Sequence, residues 1–188
     1  APESIEELLK VKHLIHLLGN HDLWALNWLL NGKRPAMWLE QGGLATMEAY
    51  SRRDWRAKKG EHLDFLMKGR LKFLDEENRL FVHAGIDPMV PLDQQVETDL
   101  FWDRMLFDLV DGVPDYKEIF IGHTVTLTEG TDKPLQFGEK DNIWRLDTGA
   151  GYHGKLTIMD VETKEYWQSD PVPELYPDEP GRLGKIRT

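Results

Sequence analysis

The sequence has no cysteine among its 188 residues. That excludes a disulfide framework, a thiolate metal site and a thiol nucleophile. Basic residues are also scarce: 23 lysines and arginines stand against 33 aspartates and glutamates, for a formal net charge of −10. Nucleic-acid-binding modules ordinarily carry a basic face, so no nucleic-acid partner is expected. An acidic chain can still hold phosphate where metal ions and a few arginines reverse the local sign. No stretch approaches the roughly 20 apolar residues of a membrane helix, and no signal-peptide pattern opens the chain. No membrane partner is expected, and the cytoplasm is the expected location. Oligomeric state is left open.

What is present describes a globular protein. Hydrophobic residues make up 40% of the chain, with seven tryptophans, enough to bury a core. The length suits one domain of about 100–200 residues, expected over 1–170, followed by an irregular tail over 171–188 that is rich in proline. PESIEELLK places acids early, leucines at helical spacing and a lysine late, as a helix requires. HLIHLLGNHD is a short apolar run into a glycine turn, expected to be a strand buried on both faces. LWALNWLLNGK then predicts a helix closed by Gly32.

Residues 33–60 form a helical or irregular insertion rich in Trp, Arg and Gly, and EHLDFLMKGRLKFL carries a helical pattern around Leu63, Leu66 and Leu71, broken near Gly69. RLFVHAGIDP and EIFIGHT predict strands, and VETDLFWDRMLFDLV predicts one helix between them. NIWRLDTGA, KLTIMDVE and KEYWQSD predict further strands joined by tight turns. The fold class is α/β.

Three apolar runs end in the same way, with histidine within two residues of glycine: LLGNHD (Asn20, His21, Asp22), LFVHAG (His83) and FIGHT (His123). In open α/β sheets ligands bind beyond the carboxyl ends of strands, so these side chains are expected to converge in one crevice. Imidazole nitrogens with amide and carboxylate oxygens suit divalent metals such as manganese, zinc or iron. His13, His16, His62 and His153 lack this setting and are assigned to structure or surface. Arg104, in FWDRMLF, is either a fork for phosphate oxygens or a partner of Asp103 or Asp99. Asp147, in RLDTGA, either orients a histidine ligand or closes a turn.

GNHD, VHAGIDP, LFWDR, IGHT and LDTGA followed by GKLTIMDVET, in this order, resemble the calcineurin-like metallophosphoesterases, in particular serine/threonine protein phosphatases and diadenosine tetraphosphatases. The resemblance implies a β-sandwich of mixed sheets flanked by helices, in four αββα layers. It implies two divalent ions, manganese first, with iron, zinc, magnesium or nickel possible. By the same resemblance Asn20, His83 and His123 are ligands of the second metal and His21 is the general acid for the leaving oxygen. Arg104 is then a catalytic, phosphate-clamping arginine that binds substrate, and Asp22 and Asp147 are supporting residues.

The GDxHG and GDxxDRG strings that open the family pattern do not occur. About 50–70 further residues are expected upstream, enough for one strand–helix–strand unit. The expected partner is a phosphorylated protein or nucleotide substrate. Phosphoserine and phosphothreonine hydrolysis is the first reading and diadenosine tetraphosphate cleavage the second. A non-catalytic scaffold that kept the fold and lost the metal centre is the competing reading of another class. Retention of Asn20, His21, His83, Arg104 and His123 weighs against it.

Overall fold

A computed structural model describes residues 2–109, 113, 115–138 and 140–177. They form two compact units, 1–70 and 71–188. The end of the tail expected to be irregular lies outside the described residues. Its described part includes one helical turn, α7 (Val172–Leu175).

The first unit is helical: α1 (Pro2–Leu8), α2 (Asn20–Asn31), α3 (Ala36–Trp38), α4 (Leu44–Ser51) and α5 (Arg53–Met67). As expected, α2 closes at Gly32, whose φ of 75° carries its N–H to the Trp28 carbonyl. The insertion is thus mostly helix, kinked at Gln41 and Gly42 between α3 and α4. Its core is aromatic, with Trp38 and Tyr50 buried and Trp28 packed 6.0 and 5.6 Å from their ring centres. His62 lies inside this core as a structural residue, between the Tyr50 hydroxyl at 2.6 Å and the Glu6 carboxylate at 2.8 Å.

One expectation fails here. The HLIHLLG run is not a strand buried on both faces: it makes a single parallel bridge, Leu17 to Arg70, and Leu14 and Ile15 are exposed. With one bridge among the described residues, only Leu18 to Asn20, at the start of α2, are buried in this run.

The second unit is built on a five-stranded mixed sheet in the order β1-β2-β3-β5-β4. The strands are β1 (Lys72–Leu74), β2 (Arg79–Val82), β3 (Glu118–Ile121), β4 (Leu135–Phe137) and β5 (Ile143–Arg145). β2, β3 and β5 run parallel, and β1 and β4 pair antiparallel at the edges. Period-two alternation divides the sheet into two unlike faces. Leu80, Val82, Ile119, Ile121 and Ile143 point into the core with Ile86, Leu100 and Leu106. On the opposite face Phe73, Phe81, Phe120 and Trp144 stand in register across four strands. The rings of Phe81 and Phe120 stack at 4.9 Å and 9°. β6 (Thr157–Met159) and β7 (Tyr166–Gln168) form a separate hairpin, and Lys164 in its turn lies over Phe120 and Trp144 of this aromatic row.

The single helix predicted over VETDLFWDRMLFDLV is two pieces, α6 (Glu97–Trp102) and a 3-10 turn over Met105–Asp108. Asp103 is extended, and Arg104 at φ −130° lies in the break. Asp103 stabilises the break through its carboxylate, which accepts the Met105 N–H at 2.5 Å. The apolar spacing carries straight through the break, which is why it was not legible in the sequence.

Candidate metal and phosphate site

Each of the three parallel strands delivers chemistry just past its carboxyl end. β2 stops at Val82 and the next residue is His83. β3 stops at Ile121, followed by Gly122 and His123. β5 stops at Arg145, two residues before Asp147. Parallel neighbours in register bring these ends to one edge of the sheet. The ends are tied by backbone bonds: Gly122 N–H donates to the His83 carbonyl at 2.9 Å, and Thr126 N–H to the Asp147 carbonyl at 2.8 Å.

His83 and His123 meet there. His83 Nε2 lies 3.1 Å from His123 Nδ1, with the ring planes 69° apart. His123 takes a φ of 62°, a left-handed conformation that a residue with a Cβ adopts only where its surroundings impose it. Arg104 completes the group. Its Nη2 lies 3.0 Å from His123 Nε2, its Nε donates to Thr124 Oγ1 at 3.1 Å, and its Nη1 donates to the Trp102 carbonyl at 3.2 Å. Trp102 stands edge to face with His123 at 5.5 Å. Neither Asp103 nor Asp99 pairs with Arg104 among the described residues. Asp99 instead accepts the Val96 N–H at the start of α6.

A guanidinium has no acceptor, so Arg104 must donate to His123 Nε2. A neutral His123 then carries its proton on Nδ1 and donates it to His83 Nε2. Three of the five Arg104 N–H donors are engaged in these bonds, which leaves two without a partner among the described residues.

The donor pair fits a divalent metal. Two nitrogens about 2.1 Å from one ion, at an angle between 90° and tetrahedral, stand about 3.0–3.4 Å apart, and the observed separation is 3.1 Å. Among the described residues no group of three or more His, Asp or Glu side chains is gathered to hold an ion. An ion held here would need ligands beyond this pair. Asp147 is placed beside them, and its carboxylate accepts the Gly149 N–H at 3.0 Å, a turn-closing bond.

Asn20, His21 and Asp22 share the first turn of α2 in the other unit. Asn20 is buried, and His21 packs edge to face on Trp24 at 4.8 Å. Asp22 accepts the Gly19 N–H at 2.8 Å, the reciprocal bond of a capping box. Burial pushes the Asp22 carboxyl above its ordinary value, against the Gly19 bond and the nearby His16. Burial likewise pushes His16 down, with Asp22 opposing. His16 stacks on Phe65 at 4.5 Å, and its buried Nδ1 has no partner among the described residues.

Two residues around the histidine pair were not singled out from the sequence. Thr124 follows His123 directly, and Arg145 interrupts an otherwise apolar strand at a core-facing position. Its spacing, two residues after Ile143, puts it on the same face as that core residue once the strand is known.

No protein-family model matches the chain, and no curated protein matches it in sequence. In structure it is similar to a crystallised protein assigned provisionally as a diadenosine tetraphosphatase, with a TM-score of 0.56 at 17% identity, over 89% of this chain and 72% of that one. It is also similar to a hypothetical protein from Pyrococcus horikoshii OT3, with a TM-score of 0.50 at 12% identity, over 94% of this chain and 70% of that one. These likenesses define the class by its fold: a mixed α/β protein with a five-stranded mixed sheet, of the architecture found in the first of these neighbours. No helix among the described residues is long and apolar enough to cross a membrane.

Proposed function

We propose that the chain belongs to a metal-dependent phosphoesterase that hydrolyses phosphate monoesters, with phosphoserine and phosphothreonine in proteins as the first substrate class. The observation that carries this reading is the His83–His123 pair at metal-chelating separation with Arg104 against it. A phosphate ester needs cation charge near its oxygens and a proton for its leaving group. Divalent ions, manganese first, supply Lewis acidity when bound and make hydroxide available near neutral pH.

The chain's own residues do the rest. His83 and His123 offer Nε2 and Nδ1 as ligands, and the resemblance adds Asn20 to that set. Arg104 turns the N–H donors not engaged by Thr124 and Trp102 to the equatorial phosphate oxygens, a match of fork to anion that a guanidinium suits. His21 protonates the departing oxygen as general acid. No covalent phosphoenzyme is required, in keeping with a sequence that lacks cysteine. Asp22 and Asp147 act as supports for the residues that bind.

Diadenosine tetraphosphate is the second substrate reading, and the neighbour assigned provisionally to that activity favours it. Hydrolysis of p-nitrophenyl phosphate by the full-length protein, stripped of metal and titrated with manganese, tests the class. Activity that returns with metal and is lost in Asn20→Ala and His83→Ala is the expected result. Folded protein that stays inactive with every divalent ion moves the assignment to a non-catalytic scaffold. A phosphopeptide and diadenosine tetraphosphate assayed side by side then decide the substrate.

A further inference from the structure

Arg145 is buried, 5% exposed, at the end of a core strand, and the proposed reaction gives it no part. It pairs across the sheet with Ile121, the last residue of β3 before Gly122 and His123. Its guanidinium reaches over that strand end. Nη2 donates to the Val125 carbonyl at 3.1 Å and to the Thr124 carbonyl at 3.3 Å, and Nη1 donates to Glu129 at 3.2 Å. The guanidinium carbon lies 4.5 Å above the centre of the Phe107 ring. A buried cation is costly unless its donors are satisfied. Its carboxylate partner, Glu129, has a side chain 55% exposed, and an exposed counter-ion offsets little of that cost. The backbone of the 122–126 loop is the main partner.

That loop carries the strained residue. His123 holds a φ of 62°, and Thr124 N–H closes back on the Gly122 carbonyl at 2.6 Å, so the chain reverses sharply at the histidine. The Thr124 carbonyl has no backbone donor among the described residues, and the Arg145 side chain donates to it instead. The other side of the loop is held by Arg104 through Thr124 Oγ1. A left-handed conformation in a residue with a side chain persists only where its surroundings over-determine it. Here two arginines and the Thr126–Asp147 backbone bond do so.

We infer that Arg145 is a positioning residue: its fork on the Thr124 and Val125 carbonyls holds His123 in its strained turn, with Nδ1 facing His83 Nε2. This role rests on the proposed phosphoesterase site for its significance, but its geometry exists without metal or substrate. It explains why a charged residue sits on the apolar face of β5. Lysine cannot replace it, because one ammonium at the end of a flexible stem does not hold two carbonyls while lying flat on Phe107.

The test uses the full chain without added metal and reads the ring 15N signals of His83 and His123 by NMR. Wild type is expected to show His123 protonated on Nδ1 with a hydrogen-bonded proton. Arg145→Met is expected to lose that signature, with the His123 ring averaging between tautomers. Arg145→Lys keeps the charge and secures the test if the methionine variant does not fold. It is expected to fold with the signature weakened. Arg79→Met is the control for general destabilisation, because Arg79 is also buried and ion-paired, to Asp75 and Glu162, at the opposite end of β2. It is expected to lower the melting temperature and leave the His123 signals unchanged. A wild-type His123 signature in Arg145→Lys, or its equal loss in Arg79→Met, overturns the inference. Failure of the phosphoesterase reading would appear in the metal and activity assays instead, and would leave these spectra as they are.

Discussion

His83 Nε2 and His123 Nδ1 stand 3.1 Å apart, a gap that one proton or one metal ion fills, but not both. Without metal, the proton belongs to His123 Nδ1, because Arg104 donates to the other ring nitrogen. Binding of an ion at Nδ1 requires the neutral ring to carry its proton on Nε2, where the guanidinium now donates. Metal loading and the Arg104–His123 bond are therefore mutually exclusive. Titration with diamagnetic Zn2+ should move the His123 proton from Nδ1 to Nε2 in ring 15N spectra and release Arg104. An unchanged tautomer at saturating zinc would remove this pair from the ligand set.

Release of Arg104 delivers a guanidinium to whatever anion shares the site. Hydrogen bonds to charged groups contribute about 1.5–3 kcal/mol each, so Arg104→Ala should weaken inhibition by phosphate or vanadate by at least the loss of one such bond, about 10- to 150-fold. Arg104→Lys should recover only part of the loss, since an ammonium is not a two-donor fork. Inhibition constants measured with p-nitrophenyl phosphate as substrate check this. Equal inhibition of wild type and the alanine variant would return Arg104 to a structural role.

Strand ends were the legible part of this fold. Apolar runs closed by histidine and glycine placed β2 and β3, and NIWRLDTGA placed β5, so His83 and His123 could be named beforehand as residues at strand ends. The pairing partners of those strands were not legible, because register depends on contacts distant in sequence. The HLIHLLG run shows the limit from the other side: its apolar content predicts a buried strand, yet it makes one bridge. The break at Arg104 was hidden by a helical spacing that continues on both sides of it. Arg145 was passed over because a lone arginine on a strand usually faces water, and only the structure shows which side of the sheet it faces.

The same dependence on buried polar contacts holds α1 in place. His62 hydrogen-bonds Glu6 at 2.8 Å, and Lys58 lies 3.2 Å from the same carboxylate oxygen. The His62 bond, aided by Lys58 and opposed by burial, holds the Glu6 carboxyl below its ordinary value of 4.5. A carboxyl whose folded-state value is depressed stabilises the fold above its unfolded value, and that contribution is lost as pH falls through the folded value. Wild type should therefore melt above Glu6→Gln at pH 7, and the two curves should converge well below pH 4.5. Calorimetry of both proteins across that range checks it. A difference that persists or grows on acidification would show that the ionised carboxylate is not what holds α1.

Glycines at two positions should respond to alanine in opposite directions. A Cβ at Gly154 would lie 1.9 Å from the Thr148 carbonyl oxygen and 3.0 Å from the Gly149 carbonyl carbon. Both obstacles are backbone, and neither is able to yield. Thr148 O accepts the Lys155 N–H at 3.1 Å, and Thr148 Oγ1 donates to the Lys155 carbonyl at 2.6 Å. Overpacking of this kind costs about 1–3 kcal/mol or more, and here it would also displace the turn that follows Asp147. Gly60 lies inside α5, is exposed, and has nothing within 4 Å of the added methyl. Alanine there removes backbone freedom from the unfolded chain and should stabilise by about 0.5–1 kcal/mol. Chemical denaturation of Gly154→Ala and Gly60→Ala should place their midpoints on either side of wild type. A neutral Gly154→Ala would mean that the turn carrying Asp147 is free to rearrange, and Asp147 would then lose its fixed place beside the histidine pair.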